Sequence, residues 1–119
     1  MITEERAAEF GRQWLEAWNR HDLDAILAHY DDHIVFCSPF VVKLAGEPSG
    51  MLSGKARLRA YFAEALRKYP DLRFTEMRAL AGVSSVTLTY RSVADLHAAE
   101  VMTLNPSGHV VRVDAHYAR

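Results

Sequence analysis

The chain has 119 residues and a formal net charge of -1, its 14 basic residues balanced by 15 acidic ones and spread without a stripe. That balance gives no footprint for nucleic acid or an anionic membrane surface, and no apolar run approaches the roughly 18 to 20 residues that span a bilayer. Residues 1–119 are read as a single domain, long enough to remove about two thirds of its unfolded surface from water without a staple of disulfides or metal.

The lone cysteine, Cys37, has no internal partner, and the start Met1-Ile2-Thr3-Glu4-Glu5 is acidic and lacks the apolar core of a secretion signal. Both point to the cytoplasm.

Thr3 is the expected N-cap of a helix from about Glu4 to Asn19, with Glu4 and Glu5 at the positive end of its dipole. Ala7, Phe10, Trp14 and Trp18 recur on one face at three- and four-residue spacing. Such an aromatic stripe is either core or the lining of a cavity. Asp22 caps a second helix through about His29, whose buried face takes in Leu23, Ile26, Leu27 and Tyr30. A short strand, Ile34 to Ser38, is stopped by Pro39. Asp31, Asp32, His33 and His29 sit at a helix-to-strand corner where neighbours point apart, so no metal site is assigned.

Val41 to Ser53 lacks a period and reads as a loop, with Gly46, Pro48 and Gly50 as punctuation. The run from Gly50 to Lys55 fails as a phosphate-binding loop: the spacing is one residue short and Ala56 stands where a metal-binding hydroxyl is needed. Ser53 is the expected cap of a third helix from about Gly54 to Lys68, with Leu58, Tyr61, Phe62 and Leu66 facing inward. Leu72 to Leu80 then has strand character.

Three antiparallel strands follow, Val86 to Val93, Leu96 to Leu104 and His109 to Tyr117, joined by turns at Ala94-Asp95 and Asn105 to Gly108. On the last of them Val111, Val113, Ala115 and Tyr117 are expected inside, and Arg112, Asp114 and His116 outside. Helices and strands are largely segregated, the mark of an α+β domain.

The middle strand carries Glu100 in an apolar run. Full burial raises a carboxyl pKa by up to about 3 to 5, which at about 1.36 kcal/mol per unit is roughly 4 to 7 kcal/mol. A bare buried charge is therefore excluded. Three resolutions stay open: protonation, an arginine partner such as Arg91 or Arg78, or contact with pocket water. A two-residue turn at Ala94-Asp95 puts Arg91 on the face of Glu100, and a three-residue turn puts Tyr90 there; Val86, Leu88 and Tyr90 make the better buried face. Cys37 and Ser38 lack a His and carboxylate partner at a recognisable spacing and are not read as nucleophiles.

The element order and a set of local signatures resemble the nuclear-transport-factor-two-like superfamily in its SnoaL-like and ketosteroid-isomerase-like branches. The signatures are Trp14 to Trp18, His21 to Ile26, Tyr30-Asp31-Asp32, Ser38-Pro39-Phe40, Gly54-Lys55, Tyr61-Phe62, Glu100-Val101-Met102 and Gly108 through Tyr117. The resemblance implies a cone-shaped curved mixed β-sheet wrapped around three N-terminal helices, a cystatin-like α+β barrel, with an apolar pocket at its wide end. It also implies a homodimer through the outer sheet face.

Carried over residue by residue, the likeness to steroid isomerases sets Trp14 at the oxyanion tyrosine, Ser38 at the base and Glu100 at the oxyanion acid. Serine cannot act as a carboxylate base, so that isomerisation is not expected. The sets used by limonene-epoxide hydrolases and scytalone dehydratases cannot be placed on the chain. The reading is a protein that binds a small apolar organic molecule, with Trp14, Trp18, Phe36, Ser38, Phe40, Tyr61, Tyr90 and Glu100 lining the pocket and no cofactor. As an enzyme it would be a cofactor-independent isomerase, dehydratase or cyclase using Glu100 as acid. The alternative is a non-catalytic binding or protein-interaction module.

Overall fold

Capping residues fix where the first two helices begin. In the computed structural model, which describes residues 1–119, the Thr3 hydroxyl accepts from the Arg6 N–H at 3.1 Å and opens α1 (Glu4–Asn19). Asp22 does the same for the Ala25 N–H and opens α2 (Leu23–Leu27). The buried face of α1 is Ala7, Gly11, Trp14, Ala17 and Trp18. Gly11 belongs there for a steric reason: a Cβ would stand 3.0 Å from Met77 Cε and 3.2 Å from Ala79 Cβ, so glycine lets α1 lie close against β3 (Thr75–Ala81). Asn19 then fastens the end of that helix, donating to the Phe74 carbonyl at 2.9 Å and accepting from the Phe74 N–H at 2.8 Å.

Tyr30 is not part of the second helix as its spacing suggested. It is the first residue of β1 (Tyr30–Cys37) and is fully buried. The stretch read as a loop after Pro39 also has structure, namely α3 (Pro39–Ala45) and β2 (Met51–Ser53). Pro39 both ends the strand and occupies the first turn of that helix, where its missing N–H costs nothing. Ser38 caps it by accepting from the Phe40 N–H, and Gly46 closes it at φ 67°. The next helix, α4 (Lys55–Lys68), has Gly54 at its N-cap and no side-chain cap, so the expected role of Ser53 is not realised.

Strands β4 (Ser85–Arg91), β5 (His97–Leu104) and β6 (Val110–Ala118) complete a six-stranded curved sheet in the order β2-β1-β6-β5-β4-β3. Only β1 and β6 run parallel, so the sheet is mixed as expected. Strands β2 and β3 are free edges; the sheet is not closed into a barrel, and four α-helices rather than three accompany it. An extra residue in β3 between Thr75 and Arg78, with Glu76 at φ 54°, adds bend at one edge. A second irregularity, between Thr103 and Leu104 against β6, shifts the inward position from Val111 to Val110, which is fully buried.

The concave face carries Val86, Leu88, Tyr90, Ala98, Glu100, Met102, Val113 and Ala115, all buried. Over it sits an aromatic cluster in which Trp14 stacks on Phe74 at 5.6 Å and Trp18 meets Phe62 at 4.8 Å. No helix is long and apolar enough to cross a membrane.

The β4–β5 connection is a three-residue turn, Val93–Asp95, closed by the Ser92 N–H donating to the Leu96 carbonyl at 2.8 Å. Ala94 and Asp95 adopt φ 56° and 57° there, a left-handed conformation that costs an L-residue about 1 to 2 kcal/mol. Replacing Ala94→Gly is expected to raise stability by about 0.5 to 1 kcal/mol, measured by urea denaturation. A loss of stability would show that the turn is held by more than its dihedral angles.

Candidate functional site

Period-two alternation along β5 turns Glu100 to the concave side, opposite Leu88 on β4 and Ala115 on β6. The three-residue turn sets Tyr90 opposite Ala98, hence diagonal to Glu100 on the same face; Tyr117 is also opposite Ala98, from the other flank. Arg91 goes to the outer side, where it contacts Glu76, Asp95 and His97. The small side chains of Ala98 and Ala115 leave the room that the Glu100 carboxyl and the two phenols fill.

Glu100 is the one buried residue with a charged side chain. The Tyr90 hydroxyl donates to its Oε2, and no protein donor reaches Oε1. Burial pushes the carboxyl up to about 7, against the Tyr90 bond, which pulls it back. Burial, with the adjacent Glu100 charge adding to it, also holds the phenols of Tyr30, Tyr61, Tyr90 and Tyr117 well above their ordinary value. They therefore remain protonated donors at neutral pH. Tyr61 and Tyr117 both face the hydroxyl of Ser38, so the helix cap is also the polar floor between two phenols.

Beside this group is a hollow of about 50 Å³. Trp18, Phe36, Phe40, Tyr61, Tyr90 and Glu100 are among the residues that line it. Trp14 does not: it is core, and its indole N–H donates to the Tyr30 hydroxyl at 3.2 Å. Ser38 is buried behind the wall rather than in it. The two positions matched to the steroid-isomerase tyrosine and base are thus spent on core and cap, and only the acid faces the hollow.

The lining also holds residues that sequence reading did not place there, among them Leu44, Tyr69, Phe74 and Tyr117. Tyr117 was legible from its parity with Ala115, whereas Leu44 sits on the helix that was read as a loop. One further polar atom is notable: the Trp18 indole nitrogen is buried with no hydrogen-bond partner, although its residue lines the hollow. Its T-shaped contact with Phe62 offers only the weak acceptor of a ring face.

Size decides what the hollow can hold at rest. About 50 Å³ exceeds the 10 to 15 Å³ a water needs and falls well short of the roughly 300 Å³ of a typical organic-ligand site. A ligand must therefore displace side chains, and the partly buried part of the wall, Phe40, Leu44, Tyr69, Val93 and Tyr117, is where that costs least packing. A larger groove of about 480 Å³ lies on the convex face along Thr89, Arg91, His97, Ala99 and His116. Its carboxylate and imidazole side chains, Glu76, His97 and His116, are exposed, whereas Glu100 on the concave side is buried.

The sequence matches the SnoaL-like domain over residues 11–118. A SnoaL-like protein of unknown function from Burkholderia thailandensis is 50% identical, with 99% of this chain and 98% of that one covered and a TM-score of 0.95. More distant structures share the fold. A nuclear-transport-factor-two-like protein from Anabaena variabilis is 13% identical, covering 100% of this chain and 96% of that one at TM-score 0.77. A protein from Sinorhizobium meliloti named as a polyketide cyclase is 9% identical, covering 97% and 100% at TM-score 0.75. No protein with a curated description matches the sequence.

The folded chain keeps the Glu100 proton up to about pH 7, while the unfolded chain releases it near 4.5. The native state therefore binds more protons between those values, and stability falls as pH rises through that window by about 3 kcal/mol. Glu100→Gln is expected to remove this slope and to be more stable than the parent at pH 8. Denaturant titrations at pH 4.5 and 8 test this, and parallel pH profiles for the two proteins would contradict a buried titrating carboxyl.

Proposed function

Because the chain belongs to the SnoaL-like domain family, we propose that its hollow receives a small, mostly apolar carbonyl compound on which Glu100 performs cofactor-independent proton transfer. The observation that carries this reading is a carboxyl titrating near 7 with one oxygen bonded to Tyr90 and the other without a protein donor, against an apolar hollow. A pKa close to the working pH is what a general acid or base requires.

In such a step Oε1 takes a proton from the carbon next to the carbonyl, the bond electrons pass to the carbonyl oxygen, and the proton is returned at the same or a conjugated carbon. Isomerisation uses the whole exchange; dehydration and cyclisation share its first half, after which the enolate either expels a β-hydroxyl, which takes the proton and leaves as water, or adds to a second carbonyl, whose oxygen takes the proton. Neutral phenols nearby, Tyr61 and Tyr117, can donate to the developing oxyanion. The site needs no metal or cofactor for this chemistry.

Two further parts of the reading concern the whole molecule. The convex face sets Thr87, Thr89, Ala99 and Val101 between charged residues Arg91, Arg112 and Asp114, an uncharged centre with a charged rim. We assign it to a homodimer, and a cytoplasmic location accords with the unpaired thiol of Cys37. A non-catalytic binding module is the second reading, favoured by the small volume of the resting hollow.

A thermal-shift screen of cyclic ketones, enones and lactones, followed by deuterium exchange of the hits in D2O by NMR, tests the catalytic reading. Exchange is expected to fall by about 10²- to 10⁴-fold in Glu100→Gln while binding persists. Hits that bind without any exchange would leave the non-catalytic reading; hits indifferent to the substitution would remove Glu100 from the site. For the dimer, Ala99→Arg is expected to halve the mass seen by light scattering, and an unchanged mass would refute that surface.

A further inference from the structure

A second, wider depression of about 670 Å³ adjoins the hollow, and the two share Phe40, Tyr69 and Tyr117 in their linings. Charge distinguishes the depression. Its lining includes Lys43, Lys68 and Arg119 but no aspartate or glutamate. Neither Lys43 nor Lys68 is in an ion pair, although most arginines that pair on this surface do so with an acid on the same or an adjoining element. Of the acids around it, Glu64 on α4 feels the charge of Lys68 but is bonded to Arg67, Asp95 in the turn at the rim is engaged by Arg91, and Asp71 shares a neighbouring groove with Lys68 and Arg73.

The two lysines come from different elements. Lys43 is in the last turn of α3 and Lys68 in the last turn of α4. Their ammonium groups stand 5.5 Å from the ring centre of Phe40 and 5.9 Å from that of Tyr69, two of the three residues that the two linings share. A lysine at a helix C-terminus is favoured by the helix dipole, which accounts for one cation on each helix. Each ring is a near neighbour in sequence, Phe40 three residues before Lys43 and Tyr69 next to Lys68; what the fold adds is that the two helix ends meet at one mouth whose lining has no aspartate or glutamate.

Building on the reading of the hollow as a ligand site, we propose that the ligand is an organic carboxylate: an apolar ring body passes between Phe40, Tyr69 and Tyr117 toward Glu100, and its carboxylate stays in the mouth between Lys43 and Lys68. The division of labour is physical. Inside, the wall is apolar and a second negative charge beside Glu100 would be repelled; outside, two unpaired cations and solvent accept a singly charged group without desolvating it fully. Lys43 and Lys68 are separate point charges, and Arg119 completes the basic lining; a singly charged carboxylate is the anion such a solvent-exposed set holds with the least desolvation. The positive mouth also draws such an anion toward an otherwise weakly acidic protein.

The matched pair 2-naphthoate and 2-naphthamide differs only in the anionic group, and tryptophan fluorescence reads their binding because Trp18 lines the hollow. The expected result is that naphthoate binds about five- to tenfold tighter than the amide at low salt, in keeping with two partly screened ion contacts. That advantage disappears in the Lys43→Gln, Lys68→Gln double variant and in 0.5 M NaCl, while amide binding stays unchanged. Circular dichroism confirms that the double variant is folded, both lysines being exposed. An amide that binds as well as the acid, or an acid preference that survives the double substitution, overturns the proposed carboxylate and leaves the hollow as a ligand site. Failure of naphthoate and naphthamide both to bind overturns the carboxylate proposal, whereas the hollow as a ligand site falls only if the screen of ketones, enones and lactones is empty as well.

Discussion

The burial of one carboxyl under one phenol sets the conditions for the rest of the concave face. Glu100 is held among apolar neighbours with Tyr90 as its single protein donor, so its charged form is disfavoured and its pKa rises to about 7. An arginine partner would have relieved that cost and silenced the group. The register of the β4–β5 hairpin sends Arg91 outward and Tyr90 inward, and so preserves a carboxyl able to exchange its proton near neutral pH. Ala98 and Ala115 contribute by being small, since a larger side chain at either position would fill the space the carboxyl and phenols occupy.

Around that group the aromatic shell has two functions that compete for the same volume. Trp14, Phe74 and Tyr90 pack with ring centres 4.6 to 5.6 Å apart and supply the apolar contact that holds the helices to the sheet. Trp18, Phe40 and Tyr61 stop just short of closing the face and leave the small hollow. Helix α3 is the element that reconciles them. Its capping serine presents its hydroxyl to Tyr61 and Tyr117, its Phe40 forms part of the wall, and its Lys43 reaches the mouth. A seven-residue helix thus touches the polar floor, the apolar wall and the charged rim.

The relatives put this site in proportion. A chain 50% identical, and others below 15%, share one scaffold, but a scaffold carries many chemistries and the reacting groups decide which. Here the oxyanion-tyrosine position is a core tryptophan bonded to Tyr30, and the base position is a helix cap. The acid alone retains access to the hollow, which is why a chemistry of one carboxyl with neighbouring phenols is argued rather than that of a two-acid isomerase.

What local pattern encodes was readable from the chain itself: the extent of α1, the caps Thr3 and Asp22, the three C-terminal strands, and the inward parity of Glu100 and Tyr117 all follow from spacing along a single element. So did the α+β class and its family, because the order of elements is a property of the chain. The short elements were not readable. Helix α3 has only seven residues and β2 only three, too few for a period to emerge from the noise, although Ser38, Pro39 and Gly46 mark the ends of the helix. Tyr30 fitted the helical spacing, yet pairing with Val110 on β6 drew it into a strand. Which oxygen of Glu100 is bonded, which tryptophan is core and which is wall, and where the lysines gather depend on side chains brought together from residues 18 to 117. Those are distances between elements remote in sequence, and only the folded packing decides them.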